Sequence, residues 1–92
     1  MTGYAHLGHA GSRKAERDQL VIEYAPVARR IALRVARRLP DRSMTDDVIA
    51  AAYLGLTQAA ERYDARRGEP FIAFAEQRIR GAVYDELRRA DI

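Results

Sequence analysis

The chain has 92 residues, of which 48% are hydrophobic and 32% charged, with a formal net charge of +3. That length holds one small domain, and the composition is that of a soluble globular protein. Zero cysteines exclude a disulfide framework and a thiolate metal site, and no apolar run approaches the ~18 residues of a membrane-spanning helix.

Residues 1–13 carry Gly3, Gly8, Gly11 and Ser12 and read as a flexible N-terminal tail. It shows neither a secretory signal nor a glycine at position 2 for myristoylation. His6 and His9 lie in this tail without an acidic or cysteine neighbour, so no metal site is expected. The helical domain spans residues 14–92.

A first helix is predicted from about residues 13–16 to Leu39. Leu20, Tyr24, Val27, Ala28, Ile31, Val35 and Leu39 recur at steps of three and four, which aligns them on one face. Pro26 interrupts this pattern with a residue that has no N–H and clashes with the preceding turn, so a kink or break is predicted there. Pro40 stops the helix. Arg29, Arg30, Arg34, Arg37 and Arg38 flank the apolar stripe. They read either as a solvated face or as a phosphate-facing one. Of 16 basic residues 15 are arginine, which suits phosphate binding but equally follows from a GC-rich genome.

A second helix begins near Thr45, a candidate N-cap, with Asp46 and Asp47 placing negative charge at the positive end of the helix dipole. Val48, Ile49, Ala52, Leu56, Ala59, Ala60 and Tyr63 form its buried side. Gly55 and the alanines allow another helix to approach closely. Residues 64–69 form a loop, with Gly68 as its left-handed residue.

The third helix opens at Pro70. Phe71, Ala75, Ile79, Ala82, Val83 and Leu87 face the core, Phe74 stands at the edge, and Gln77, Arg80, Tyr84 and Arg88 face outward. No alternating run or hairpin turn signals a strand. The fold class is all-α, a compact three-helix bundle.

No Gly-rich phosphate loop and no His–Glu helix motif is present, so neither an enzyme nor a cofactor is expected. The outward stripe of the third helix carries the chemistry. Arg80, Tyr84 and Arg88 are spaced by four, with Arg78 and Arg89 beside them and Phe74 upstream. Cations that neutralise phosphates, interleaved with rings that stack on bases, are what a single-strand binder requires. A solvated face capped by two aromatics remains the plain alternative.

Several runs resemble the sigma-70 family of bacterial transcription initiation factors. Residues 46–56 (DDVIAAAYLGL) are similar to the family's DLIQxGxIGL run. Residues 59–68 (AAERYDARRG) are similar to AxERYDxxRG, and residues 71–82 (FIAFAEQRIRGA) to FxTYAxxRIRGA. Residues 85–91 (DELRRAD) resemble the ending of the flagellar and sporulation branch, and residues 24–32 (YAPVARRIA) resemble its YxPLVRRIA. The match is ordered from about residue 18 to residue 91 and points to region 2.

The resemblance implies two surfaces. The second helix would dock on a coiled coil of the largest subunit of core RNA polymerase through Asp47, Ala50, Ala51, Tyr53, Leu54 and Thr57. The third helix would meet promoter DNA, with Phe74 stacking on a flipped base of the non-template strand of the −10 element. Phe71, Gln77, Arg78, Arg80, Tyr84 and Arg88 belong to the same expected DNA-binding set. An anti-sigma factor is a further implied partner, and the cytoplasm the implied location. The chain departs from the family pattern at Ala50 (usually Gln), Ala52 (usually Gly), Tyr53, Ala73 (usually Thr) and Ile92 (usually Trp). The parts that read upstream promoter elements do not occur in these residues. Two readings stay open: a domain that opens promoters, and a stand-alone interaction module that binds an anti-sigma factor, polymerase or itself.

Overall fold

A computed structural model describes the backbone of residues 2–90 and the side chains of residues 13–90. His6, His9, Asp91 and Ile92 fall outside those side chains. Three helices follow one another: α1 (Thr2–Ala36), α2 (Thr45–Arg62) and α3 (Phe71–Arg89). No strand occurs among the described residues. α2 is the central element. α1 and α3 pack against it and barely meet each other.

The core follows the predicted faces. Ala28, Ile31 and Ala32 of α1, Val48, Ala52, Leu56 and Ala59 of α2, and Ala75, Ile79, Val83 and Leu87 of α3 form one buried cluster. Val48, Leu56, Ile79 and Val83 are its largest fully buried side chains, each stabilising the fold by about 1.5–3 kcal/mol. Ala82, expected in this core, is only half-buried.

The course of α1 and the start of α2 differ from expectation in four places. α1 begins at Thr2 rather than near residue 13. No proline stands between Thr2 and Pro26, and the glycines weaken a helix without ending it. Pro26 does not break α1, which runs through it unbroken. Pro26 is exposed, as is Ile22, whose carbonyl loses its donor, so water can satisfy that carbonyl. α1 ends at Ala36, not Leu39, as the chain tightens into i→i+3 bonds from Arg38 N to Val35 O (3.0 Å) and Leu39 N to Ala36 O (3.1 Å). The residue before Pro40 resists the helical conformation, which explains the early stop. Finally, Thr45 is not the N-cap of α2. A short 3-10 turn (Arg42–Met44) leads directly into α2, so the capping moves upstream to Asp41, whose carboxylate accepts from Ser43 N at 2.9 Å. Asp46 and Asp47 do occupy the first turn of α2.

The loop between α2 and α3 is tied at both ends. Asp64 caps a second 3-10 turn (Ala65–Arg67), accepting from Arg66 N (3.0 Å), Nε (3.0 Å) and Nη2 (3.1 Å). The Arg66 guanidinium, and then its backbone N–H, hold the Asp64 carboxyl below its ordinary range. Gly68 takes the left-handed conformation, φ 82°. The Tyr63 hydroxyl donates to Glu69 O at 2.8 Å. Pro70 stands immediately before α3 rather than inside its first turn.

Gly55 sets the distance between α2 and α3. A Cβ there would lie 2.8 Å from Arg78 O, 2.9 Å from Ala82 Cβ and 2.9 Å from Ile79 Cα. The close approach expected of the small-residue face of α2 is therefore made to α3 of the same chain.

Candidate functional site

Four aromatic rings gather where α1, the end of α2 and the start of α3 converge. Phe71 contacts Tyr24 (centroids 5.0 Å apart) and meets Tyr63 edge-on (5.1 Å). Tyr63 also touches Phe74 at 6.0 Å. Phe71 is only 7% exposed, which removes it from the DNA-facing set. Its ring fills the core and supports Tyr63, on which Phe74 leans. Phe74 itself is half-buried.

The remaining expected strand contacts divide around α3. At 100° per residue, positions 77, 81, 84 and 88 lie along the most outward line of the helix. Gln77, Gly81, Tyr84 and Arg88 are all exposed, Tyr84 at 49%. Arg80 and Tyr84 border a groove of about 440 Å³ between α3 and α1, whose other wall includes Arg34 and Arg38. Arg34 and Arg38 belong to the basic residues flanking the apolar stripe of α1, and nothing in the sequence beyond their four-residue spacing joins them to the α3 stripe.

Arg78 points elsewhere. It lines an open groove of about 700 Å³ between α2 and α3, together with Asp47, Ala50, Ala51 and Leu54 of α2 and Gly81, Ala82 and Asp85 of α3. The expected strand residue Arg78 thus shares a groove with the expected docking residues, and Gln77 reaches the same rim.

The docking set also divides. Asp47 and Ala50 are exposed and Leu54 is 56% exposed. Ala51 is 8% exposed, on the side of α2 turned toward α3. Tyr53 is half-buried against the core. The Thr57 hydroxyl donates to Tyr53 O at 2.9 Å, so its proton is engaged within α2.

Electrostatically, α3 is largely self-paired. Arg80 bonds Glu76 (3.3 Å), Arg88 bonds Asp85 (2.8 Å) and Arg89 bonds Glu86 (2.7 Å). Such exposed pairs are weak, and a phosphate can compete for each cation. No cluster of potential metal ligands occurs among the described residues, and no helix there is long and apolar enough to cross a membrane.

The sequence also has relatives. It is 43% identical over 74 residues to "RNA polymerase sigma factor FliA" of Pseudomonas aeruginosa, covering 80% of this chain and 30% of that protein. It is 46% identical over 76 residues to the protein of the same name from Escherichia coli, covering 83% and 32%. It is 36% identical over 74 residues to "RNA polymerase sigma-D factor" of Bacillus subtilis, covering 80% and 29%. The chain therefore spans about a third of the length of the curated relatives it matches. No solved structure matches it significantly. Residues 20–92, the part that contains the core, both grooves and the aromatic cluster, match the Sigma-70 region 2 family, and the chain belongs to that family.

Proposed function

We propose that this chain docks on core RNA polymerase and opens the −10 element of promoter DNA, acting as a non-enzymatic transcription initiation domain in the cytoplasm. The observation that carries this reading is the placement of Phe74. Its ring is in contact with Tyr63, the residue is only half-buried, and it stands at one end of an outward line that continues through Gln77, Tyr84 and Arg88. A ring held in this way can stack on an unpaired base without the entropic cost of ordering a free side chain. Arg80 and Arg88 supply phosphate contacts along the same helix, and Arg34 and Arg38 extend them across the groove to α1.

Docking uses the other flank. Asp47, Ala50 and Leu54 present a mostly apolar, exposed strip along α2. The strip has few hydrogen-bonding groups, so association there rests on packing around Leu54 and on the charge of Asp47. An anti-sigma factor would compete by covering the same strip.

The test is a ternary complex. Core polymerase, this chain and an oligonucleotide bearing the non-template −10 strand should co-purify, and the oligonucleotide should be lost when Phe74 is replaced by alanine while polymerase is retained. Equal capture of the oligonucleotide by Phe74→Ala would refute the strand-stacking role.

A further inference from the structure

Arg78 differs from the other arginines of α3. Arg80, Arg88 and Arg89 each hold a carboxylate of their own helix. Arg78 cannot, because the positions within reach along the helix are Phe74, Ala75, Gly81 and Ala82, none of them acidic. Its Nε is buried and has no hydrogen-bond partner. The Nε is closed off by this chain and lies beyond a partner's reach, but Arg78 is only half-buried, lines the open groove and holds no ion pair among the described residues, so a carboxylate presented there can form a charge-assisted bond with the outer part of its guanidinium.

The surroundings of Arg78 select the kind of acceptor. The middle of the opposite wall is apolar, with Ala50, Ala51 and Leu54 lowering the local dielectric between Asp47 and Gln58. Gly81 is open enough that an added Cβ would meet nothing, so a partner helix can approach closely. Asp47, Asp85 and Glu86 also line the groove. Arg89 lines it too and is paired with Glu86, and Asp85 is paired with Arg88, which leaves Asp47 as the acid on the α2 wall that disfavours a phosphate chain running along it. A protein helix can offer one carboxylate at Arg78 and keep cations or neutral groups opposite the acids.

We propose that Arg78 is a docking residue, whose guanidinium receives a carboxylate from a helix of core RNA polymerase seated in the α2–α3 groove. This rests on the polymerase-docking reading and moves Arg78 out of the strand-binding set. The expected sequence role came from the place of Arg78 in the family pattern. The structure shows that it leans to the α2 flank, away from the groove that holds Arg80 and Tyr84.

The experiment measures affinity for core polymerase without DNA, and separately the capture of the −10 strand at saturating polymerase. Arg78→Gln should weaken polymerase binding by about tenfold or more, as expected when one partner of a desolvated charge pair is removed. It should also flatten the salt dependence of that binding and leave strand capture at saturation unchanged. Arg78→Lys should recover part of the affinity, because it restores the charge without the guanidinium geometry. Circular dichroism of each variant checks the fold, and if Arg78→Gln fails to fold, the Arg78→Lys affinity and salt slope decide. Leu54→Arg serves as the control for docking. If Leu54→Arg abolishes binding while Arg78→Gln changes it by less than about twofold, the Arg78 role is overturned and docking stands. If neither substitution changes polymerase affinity, the docking reading fails and the proposal fails with it. Loss of strand capture at saturation in Arg78→Gln, with polymerase affinity intact, returns Arg78 to the strand.

Discussion

Replacing Gly55 by alanine separates two effects that usually act together. In an exposed helix the change stabilises by about 1 kcal/mol, because glycine gives up more backbone entropy on folding. At Gly55 the new methyl would stand 2.8–2.9 Å from Arg78 O, Ile79 Cα and Ala82 Cβ, 0.5–0.6 Å inside the 3.4 Å where ordinary contact begins. Two of these three atoms are backbone, so no rotamer change relieves the overlap and α3 must retreat. That retreat loosens Leu56, Ile79 and Val83, which are fully buried around this helix pair. Overpacking of this kind costs about 1–3 kcal/mol, and backbone overlap favours the upper end. After the propensity gain, Gly55→Ala should destabilise the domain by about 1–2 kcal/mol. For a domain of this size that lowers the melting temperature by roughly 5–15 °C. Thermal unfolding followed at 222 nm, with urea unfolding as a check, measures it. A melting temperature equal to or above that of the unsubstituted chain would refute the close-packed α2–α3 interface.

Gly68→Ala tests backbone strain alone, since the position has φ 82° and no atom within 4 Å of an added Cβ; it should destabilise by about 1–2 kcal/mol, read from the same unfolding curves. The Asp64 carboxyl is held below its ordinary value of 3.8, first by the Arg66 side chain and then by its backbone N–H. A lowered carboxyl stabilises the folded state fully above that ordinary value and loses the contribution as pH falls through the lowered one. Asp64→Asn should therefore reduce the fall in melting temperature between about pH 5 and pH 2, and an unchanged pH profile would contradict the Asp64–Arg66 contact. Arg80→Ala should weaken strand capture by the polymerase complex and reduce its salt slope by at most about 0.7, less than a lone cation gives because Glu76 already holds Arg80.

The apolar periodicity made the buried faces legible. Ile31, Val48, Leu56, Ile79 and Val83 are buried where steps of three and four place them, and Gly68 takes the conformation its place in the loop demands. Periodicity does not tell which neighbouring helix a flanking polar side chain meets. Arg78 and Arg80 are two positions apart on one outward-reading helix, yet they border different grooves because α2 and α1 flank α3 on different sides. Phe71 was legible as core but not as the support of the Tyr63–Phe74 contact, since that depends on a loop closing Tyr63 onto Glu69. The Thr45 cap was misplaced for a local reason: a 3-10 turn joined to an α-helix shifts the capping carboxylate to its own start, at Asp41. At Pro26 the expectation was a kink or a break, and the helix runs without a break through that position.

On the proposed function, one face of this small domain holds polymerase while another opens DNA. The most direct measurement places a fluorescent base analogue at the flipped position of the −10 element in a duplex promoter fragment. Core polymerase is then added with this chain or with its Phe74→Ala variant. Unstacking fluorescence is expected with the unsubstituted chain and its loss with Phe74→Ala, although both bind polymerase equally. Polymerase binding without base opening by either form would contradict the promoter-opening role and leave a docking module that does not melt promoters.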